Sequence, residues 1–265
     1  MHIRPTKPKG AHTRSPRNVV EELMHIRSIA RPDHLWFSDD IFGLKPGWIQ
    51  EFSNLLKKKN VRIPFKIQAR ADLLLEHDAI AALADAGCEE VWIGAESGSQ
   101  KILDAMEKGI TIEQIREARA RLGQAGIRAC FFLQFGYRTE TKDDIRATIN
   151  MVRRFHPDDI GISISYPLPG TKFYETVKSE LKEKQNWENS DDLAMMYEGT
   201  YSQRYYRLLH RYVHRLFRLQ QGLSAFRNLF AGDNTLGTIR AIASIGYHAP
   251  MALWKRLQLG QLGGV

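Results

Sequence analysis

Between Ser15 and Tyr174, short apolar runs alternate with longer stretches in which apolar residues recur every three or four positions. The runs have the length of buried strands, and the wider spacing is that of helices with one apolar face. Ser15 is an N-cap ahead of Pro16, and Val19, Val20, Leu23, Ile26 and Ile29 give the first helix a face that Pro32 closes. LWFSDD over 35–40 then reads as a strand, residues 46–59 as a helix, FKIQARAD over 65–72 as a strand, and 78–86 as a helix stopped by Gly87. VWIGAESGSQ over 91–100 is a strand that delivers a carboxylate, two hydroxyls and two glycines to its end. Thr111 with Gln114 makes a capping box for a helix that Gly126 terminates. IRACFFLQFG is the next strand, Thr141 with Asp144 opens another helix, and DIGISISYPLPG supplies the last strand.

Strands thus begin near Leu35, Phe65, Glu90, Arg128 and Ile160, each separated from the next by helical sequence. This alternation predicts an α/β fold with a parallel sheet, either a barrel or an open doubly wound sheet. The helix at Ser15 has no strand before it, so a barrel built this way lacks its first strand. Past Tyr174 only helices are expected. KSELKEKQNWENSDD over 178–192 is charged and expected at the surface. Over 201–230, Arg204, Arg207, Arg211, Arg215 and Arg218 follow helical spacing opposite Leu208, Leu209, Tyr212, Val213, Leu216 and Phe217. The apolar stretch over 236–254 carries Arg240, His248 and Pro250, which makes it a poor membrane span and an amphipathic or interfacial segment instead.

Charge sharpens this division. The chain of 265 residues has a net charge of +8, yet residues 1–199 hold 29 basic and 29 acidic side chains. From Thr200 onward nine basic residues face one acid, Asp233. The basic tail offers either a solvated face or a surface for an anionic membrane, reached from the inner side; no nucleic-acid partner is expected. Cys88 and Cys130 stand alone, which fits two small buried hydrophobes in a reducing cytoplasm. The N-terminus lacks the apolar run of a signal peptide. Phosphate-binding P-loops, the dinucleotide glycine fingerprint and the serine-hydrolase elbow are absent from the sequence. His210 and His214 are four apart, but Arg211 lies between them and the zinc-protease pattern is missing.

The polar groups collect at strand ends: Asp39 and Asp40, Arg70 and Asp72, Glu96 and Ser97, Gln134, and the turn over 166–171. In parallel α/β folds these ends share one mouth. The ring offers acceptors for an ammonium group and ribose hydroxyls and a guanidinium for a carboxylate, the set an amino-acid nucleoside requires. Asp39, Asp72 and Glu96 as a divalent-cation set is the weaker alternative, because no histidine joins them.

In this order the residues resemble the radical S-adenosylmethionine superfamily. The resemblance runs from Arg14 to Glu175 through R-S-P-x-x-V-V-E-E at 14–22, F-S-D-D-x-F at 37–42, G-A-E-S-G-S at 94–99 and L-x-x-M-x-K-G at 103–109. F-F-L-Q-F-G at 131–136 with Glu140 and Thr141, and P-L-P-G-T at 167–171, complete it. The pattern is similar to the branch associated with cobalamin-binding domains, including the anaerobic magnesium-protoporphyrin ester cyclase. The resemblance implies a partial (β/α) barrel over 15–175 after a basic lead-in over 1–14, with a helical basic extension over 176–265. It also implies S-adenosylmethionine, a 4Fe-4S cluster, cobalamin in the full-length family, and reductive cleavage to a 5'-deoxyadenosyl radical acting on a small molecule in methyl transfer or cyclisation. Asp39 and Asp40 would meet the methionyl ammonium, Arg70 its carboxylate, and Glu96, Ser97 and Gln134 the ribose side. The family's C-x-x-x-C-x-x-C loop is missing, and Arg138 and Thr139 replace the Pro-Gly before Glu140 and Thr141. The expectation is the C-terminal portion of such an enzyme, inactive alone, with no metal ligands of its own. The competing expectation is a non-catalytic scaffold that binds a membrane or partner through its tail.

Overall fold

A computed structural model describes residues 13–181, 195–230 and 235–262. Most of the expected lead-in and of the charged segment after Leu181 lies outside the described residues. The elements in chain order are α1 (Pro16–Ile29), β1 (Leu35–Trp36), α2 (Trp48–Lys58), β2 (Phe65–Ala69), α3 (Ala71–Leu74), α4 (Ala79–Ala86), β3 (Cys88–Glu96) and α5 (Gln100–Ala105). There follow α6 (Ile112–Gln124), β4 (Arg128–Phe135), α7 (Lys142–Phe155), β5 (Ile160–Ile164), α8 (Lys172–Val177), α9 (Gln203–Phe230), α10 (Leu236–Ala243) and α11 (Ile245–Gln261). The five parallel strands stand in chain order as a half-barrel, and the C-terminal region is helical. The choice between a barrel and a doubly wound sheet is decided by that order, because a doubly wound sheet reverses direction at a switch point.

Local sequence sets the element ends. The Ser15 hydroxyl accepts the Asn18 N–H and Pro16 occupies the first turn of α1. Capping boxes open α6 at Thr111 and Gln114 and α7 at Thr141 and Asp144. Gly87, at φ +92°, closes α4 in the left-handed region that favours glycine. Three strands are shorter at their carboxyl ends than their apolar pattern suggests. The β1 ladder covers only Leu35 and Trp36, although the Phe37 N–H still reaches the Lys66 carbonyl at 3.0 Å. β2 ends at Ala69 because Arg70 is already the N-cap of α3. β3 stops at Glu96, whose φ of +55° turns the chain out of the extended region.

The chain packs as two units. Among the described residues the first holds 13–96, 103–132 and 157–161; the second holds 97–102, 133–156, 162–181, 195–230 and 235–262. In the first, Phe52, Phe65, Ile67, Leu83, Val91 and Ile93 are buried. Phe37, Phe42, Trp48, Phe52 and Phe65 form one aromatic cluster, with Trp48 stacked on Phe52 at 5.2 Å between centroids. In the second, α9 buries Tyr205, Tyr206, Leu209, Tyr212, Val213 and Phe217 and leaves Arg204, Arg207, Arg211 and Arg218 exposed, the two faces read from the sequence. The last apolar stretch is split between α10 and α11, and Pro250 lies inside α11. Among the described residues no helix is long and apolar enough to cross a membrane.

Candidate functional site

Asp39 and Asp40 lie in the turn after β1, in the wall of a cavity of about 420 Å³ within the first unit. Phe37, Phe42 and Trp48 provide its apolar side. Arg14 borders the same space and is fixed there: it donates to Asn18 at 2.6 Å and pairs with Glu22 at 2.5 Å, while its carbonyl accepts the Trp48 indole N–H at 2.8 Å. Both aspartates are exposed. The arrangement is an acidic rim above an aromatic floor, suited to a cation that carries apolar bulk.

Arg70 and Glu96 sit in the same unit, and Lys108 joins them. The Arg70 guanidinium meets Asp72 through Nε at 3.0 Å and Nη2 at 2.9 Å, and Nη2 also donates to the Lys108 carbonyl at 2.8 Å. The Lys108 ammonium donates to Glu96 Oε1 at 2.7 Å. Four charged side chains from the ends of β2 and β3 and the turn after α5 thus form one connected network, mostly shielded from water. Lys108 was visible only as a letter in the L-x-x-M-x-K-G pattern, because nothing in linear spacing shows that it turns back to a residue twelve positions earlier.

Ser97 and Gln134 belong to the second unit. Ser97 is fully buried, its hydroxyl 3.1 Å from that of Thr148 and accepting the Ser99 N–H at 3.1 Å. Gly98 donates to the Thr148 hydroxyl at 2.9 Å, and Ser99 donates to Asp144 at 2.6 Å. Ser97 therefore shapes a loop against α7; the ribose-side role is what the family resemblance implies for it. Burial pushes the Asp144 carboxyl up, but hydrogen bonds from Lys101, Ser99 and Thr141 outweigh it and hold the group well below the usual carboxylate range. Asp144 was legible as a capping residue, and its four-residue spacing from Thr148 was the signal that both face this loop. Gln134 is half-buried on β4.

The model built for the Radical SAM superfamily matches residues 3–152, more than half of the chain. The chain belongs to the radical SAM superfamily. It is 29% identical over 174 residues to an uncharacterized methyltransferase of Pyrococcus horikoshii, covering 65% of this chain and 38% of that protein. It is 25% identical over 170 residues to the anaerobic magnesium-protoporphyrin IX monomethyl ester cyclase of Rubrivivax gelatinosus, covering 64% and 31%. The chain thus spans little more than a third of the first of these relatives and less of the second. In fold it is similar to OxsB, a cobalamin-dependent S-adenosylmethionine radical enzyme solved with aqua-cobalamin, at a TM-score of 0.61 and 16% identity over 91% of this chain and 42% of that one. It is also similar to the methyltransferase TsrM of Kitasatospora setae, solved with cobalamin and a 4Fe-4S cluster, at 0.50 and 20% over 59% and 32%.

The thiols of this chain do not fit the cluster that the superfamily implies. Cys88 and Cys130 are both buried, and burial pushes each thiol up to about 12, so neither is a ready thiolate. Among the described residues no group of three His, Cys, Asp or Glu could hold a metal ion, which also leaves the divalent-cation alternative without a site.

Proposed function

We propose that the first unit binds S-adenosylmethionine, as the S-adenosylmethionine-holding part of a methyl-transferring enzyme of the cobalamin-associated branch. The observation that carries this reading is the cavity of about 420 Å³ with Asp39 and Asp40 at its rim. The aspartates accept from the methionyl ammonium and offset the sulfonium charge, while Phe37, Phe42 and Trp48 exclude water around the methionyl chain. In Arg70, Nε and Nη2 are committed to Asp72 and Lys108, which leaves Nη1 to meet the carboxylate. Glu96 keeps Oε2 for ribose hydroxyls, since Lys108 holds Oε1. The two buried cysteines supply no cluster, so this chain's own residues bind and orient the ligand without starting its reductive cleavage.

Isothermal titration of S-adenosylmethionine under anaerobic conditions tests the reading. Binding that weakens at least about tenfold in a D39N/D40N double variant is expected, a loss of about 1.4 kcal/mol. No heat from the natural chain, or equal affinity in the variant, would overturn it.

A second reading concerns the basic helices. The exposed guanidinium face of α9 and the exposed Leu253, Trp254 and Leu257 of α11 suit the surface of an anionic membrane. Lys255 sits over the Trp254 ring at 4.0 Å, and its ammonium is lowered by burial and by Arg211 and Arg215. An anionic partner relieves that crowding. Flotation of the natural chain with vesicles of neutral and of anionic lipid decides it: equal binding to both, or none to either, removes this reading.

A further inference from the structure

Glu140 lies in the loop between β4 and α7 and is fully buried. Its Oε2 accepts the Gly136 N–H at 2.8 Å, while Oε1 has no hydrogen-bond partner among the described residues. Gly136 is held from two further sides. The Tyr197 hydroxyl donates to its carbonyl. A Cβ at this position would stand 3.4 Å from the Tyr206 ring of α9, and the φ of +86° also favours glycine. Tyr205 and Tyr206 are buried with hydroxyls likewise unpartnered, and together with Glu140 they account for all such buried side-chain atoms among the described residues.

An ionised carboxylate here would be a buried charge with one oxygen unsolvated and unbonded, a costly state. A neutral carboxyl keeps the Gly136 bond through one oxygen and carries the proton on the other. We propose that Glu140 is a proton-holding clasp: in its neutral form it closes the turn after β4 against α9, and loss of the proton loosens the grip of Tyr197 and Tyr206 on Gly136. The reading is independent of S-adenosylmethionine binding.

The groups facing Glu140 are Asp144 at the start of α7, Lys101 on α5, Tyr197 and Tyr201 ahead of α9, and Tyr205 and Tyr206 on it. Burial, with a smaller contribution from Asp144, outweighs the lowering by the Gly136 N–H and by Lys101 and leaves the Glu140 carboxyl raised to about 8. Asp144 is held ionised by its own partners, so it continues to disfavour a second negative charge. All four tyrosines are raised above the usual phenol range, chiefly by burial, and remain neutral while Glu140 titrates. The ordinary value for glutamate is 4.5 and the folded value is raised to about 8. The stabilisation is therefore complete below pH 4.5 and is lost as pH rises through about 8.

The test uses the whole natural chain and E140Q, a neutral isostere, in urea melts between about pH 5 and pH 9. The natural chain should lose midpoint steadily as pH rises, and E140Q should show none of that slope and match or exceed the natural chain at the alkaline end. A second measurement guards against E140Q failing to fold. In the natural chain, one glutamate carboxyl carbon and the Gly136 amide should share an NMR titration midpoint near 8. Parallel slopes in both proteins, or all glutamate carboxyls titrating below about pH 6, would overturn the clasp.

Discussion

Lys108 reaches Glu96 with its ammonium at 2.7 Å while its own carbonyl receives Arg70 at 2.8 Å. One residue therefore sets the position of two groups proposed to hold the ligand. The K108M variant removes the ammonium but keeps the backbone acceptor. It should cost about 1 kcal/mol of stability, since the lysine is partly exposed, and should weaken S-adenosylmethionine binding several-fold. K108R should recover part of the affinity. Titration calorimetry beside a thermal melt separates the two effects.

Gly98 lies against α7 so closely that a Cβ would stand 2.4 Å from the Ala147 carbonyl oxygen and 2.7 Å from the Thr148 Cα. Both neighbours are helix backbone and cannot give way cheaply. G98A should destabilise the fold by about 2–4 kcal/mol, read as a lower urea midpoint. An unchanged midpoint would show that the loop has a second way of packing.

Asp144 is held below its ordinary value of 3.8 despite its burial. Its stabilisation is therefore present above pH 3.8 and is lost as pH falls toward the lower folded value. D144N should lower stability at neutral pH by about 1–3 kcal/mol, because it breaks bonds to Ser99, Lys101 and Thr141. Acid melts of the two proteins should converge at the lowest pH.

Phe52 has no exposed surface and touches the rings of Phe37, Phe42, Trp48 and Phe65. F52A should cost about 3–5 kcal/mol, the range for an aromatic deletion that leaves a cavity. Loss of near-ultraviolet dichroism with helical signal retained would locate the damage in this cluster.

Anaerobic treatment with iron and sulfide should leave the natural chain without the EPR signal of a reduced 4Fe-4S cluster. Its only cysteines are buried and separated along β3 and β4. A signal that disappears in the C88S/C130S double variant would show that these thiols do ligate iron.

The linear sequence determined most of the architecture. Periodicity located the strands, and capping residues such as Ser15, Thr111 and Thr141 opened their helices as local chemistry requires. Spacing on α9 separated an arginine face from a buried one. These features depend on neighbours within four residues, so one dimension suffices to read them. The family was legible for a related reason: its motifs are short runs of fixed residue type and order, from R-S-P at the first helix to P-L-P-G-T after the last strand, each read within a few neighbours.

Tertiary structure alone decided what the polar groups at those ends do. Glu96 and Ser97 are consecutive and equally polar, yet β3 ends between them. Glu96 pairs with Lys108, while Ser97 is buried under α7 beside Thr148. Glu140 shows the same limit, since its letter is identical whether the carboxyl meets water or lies buried on Gly136. Distance through space sets burial, charge pairing and protonation, and residues far apart in the chain supply it.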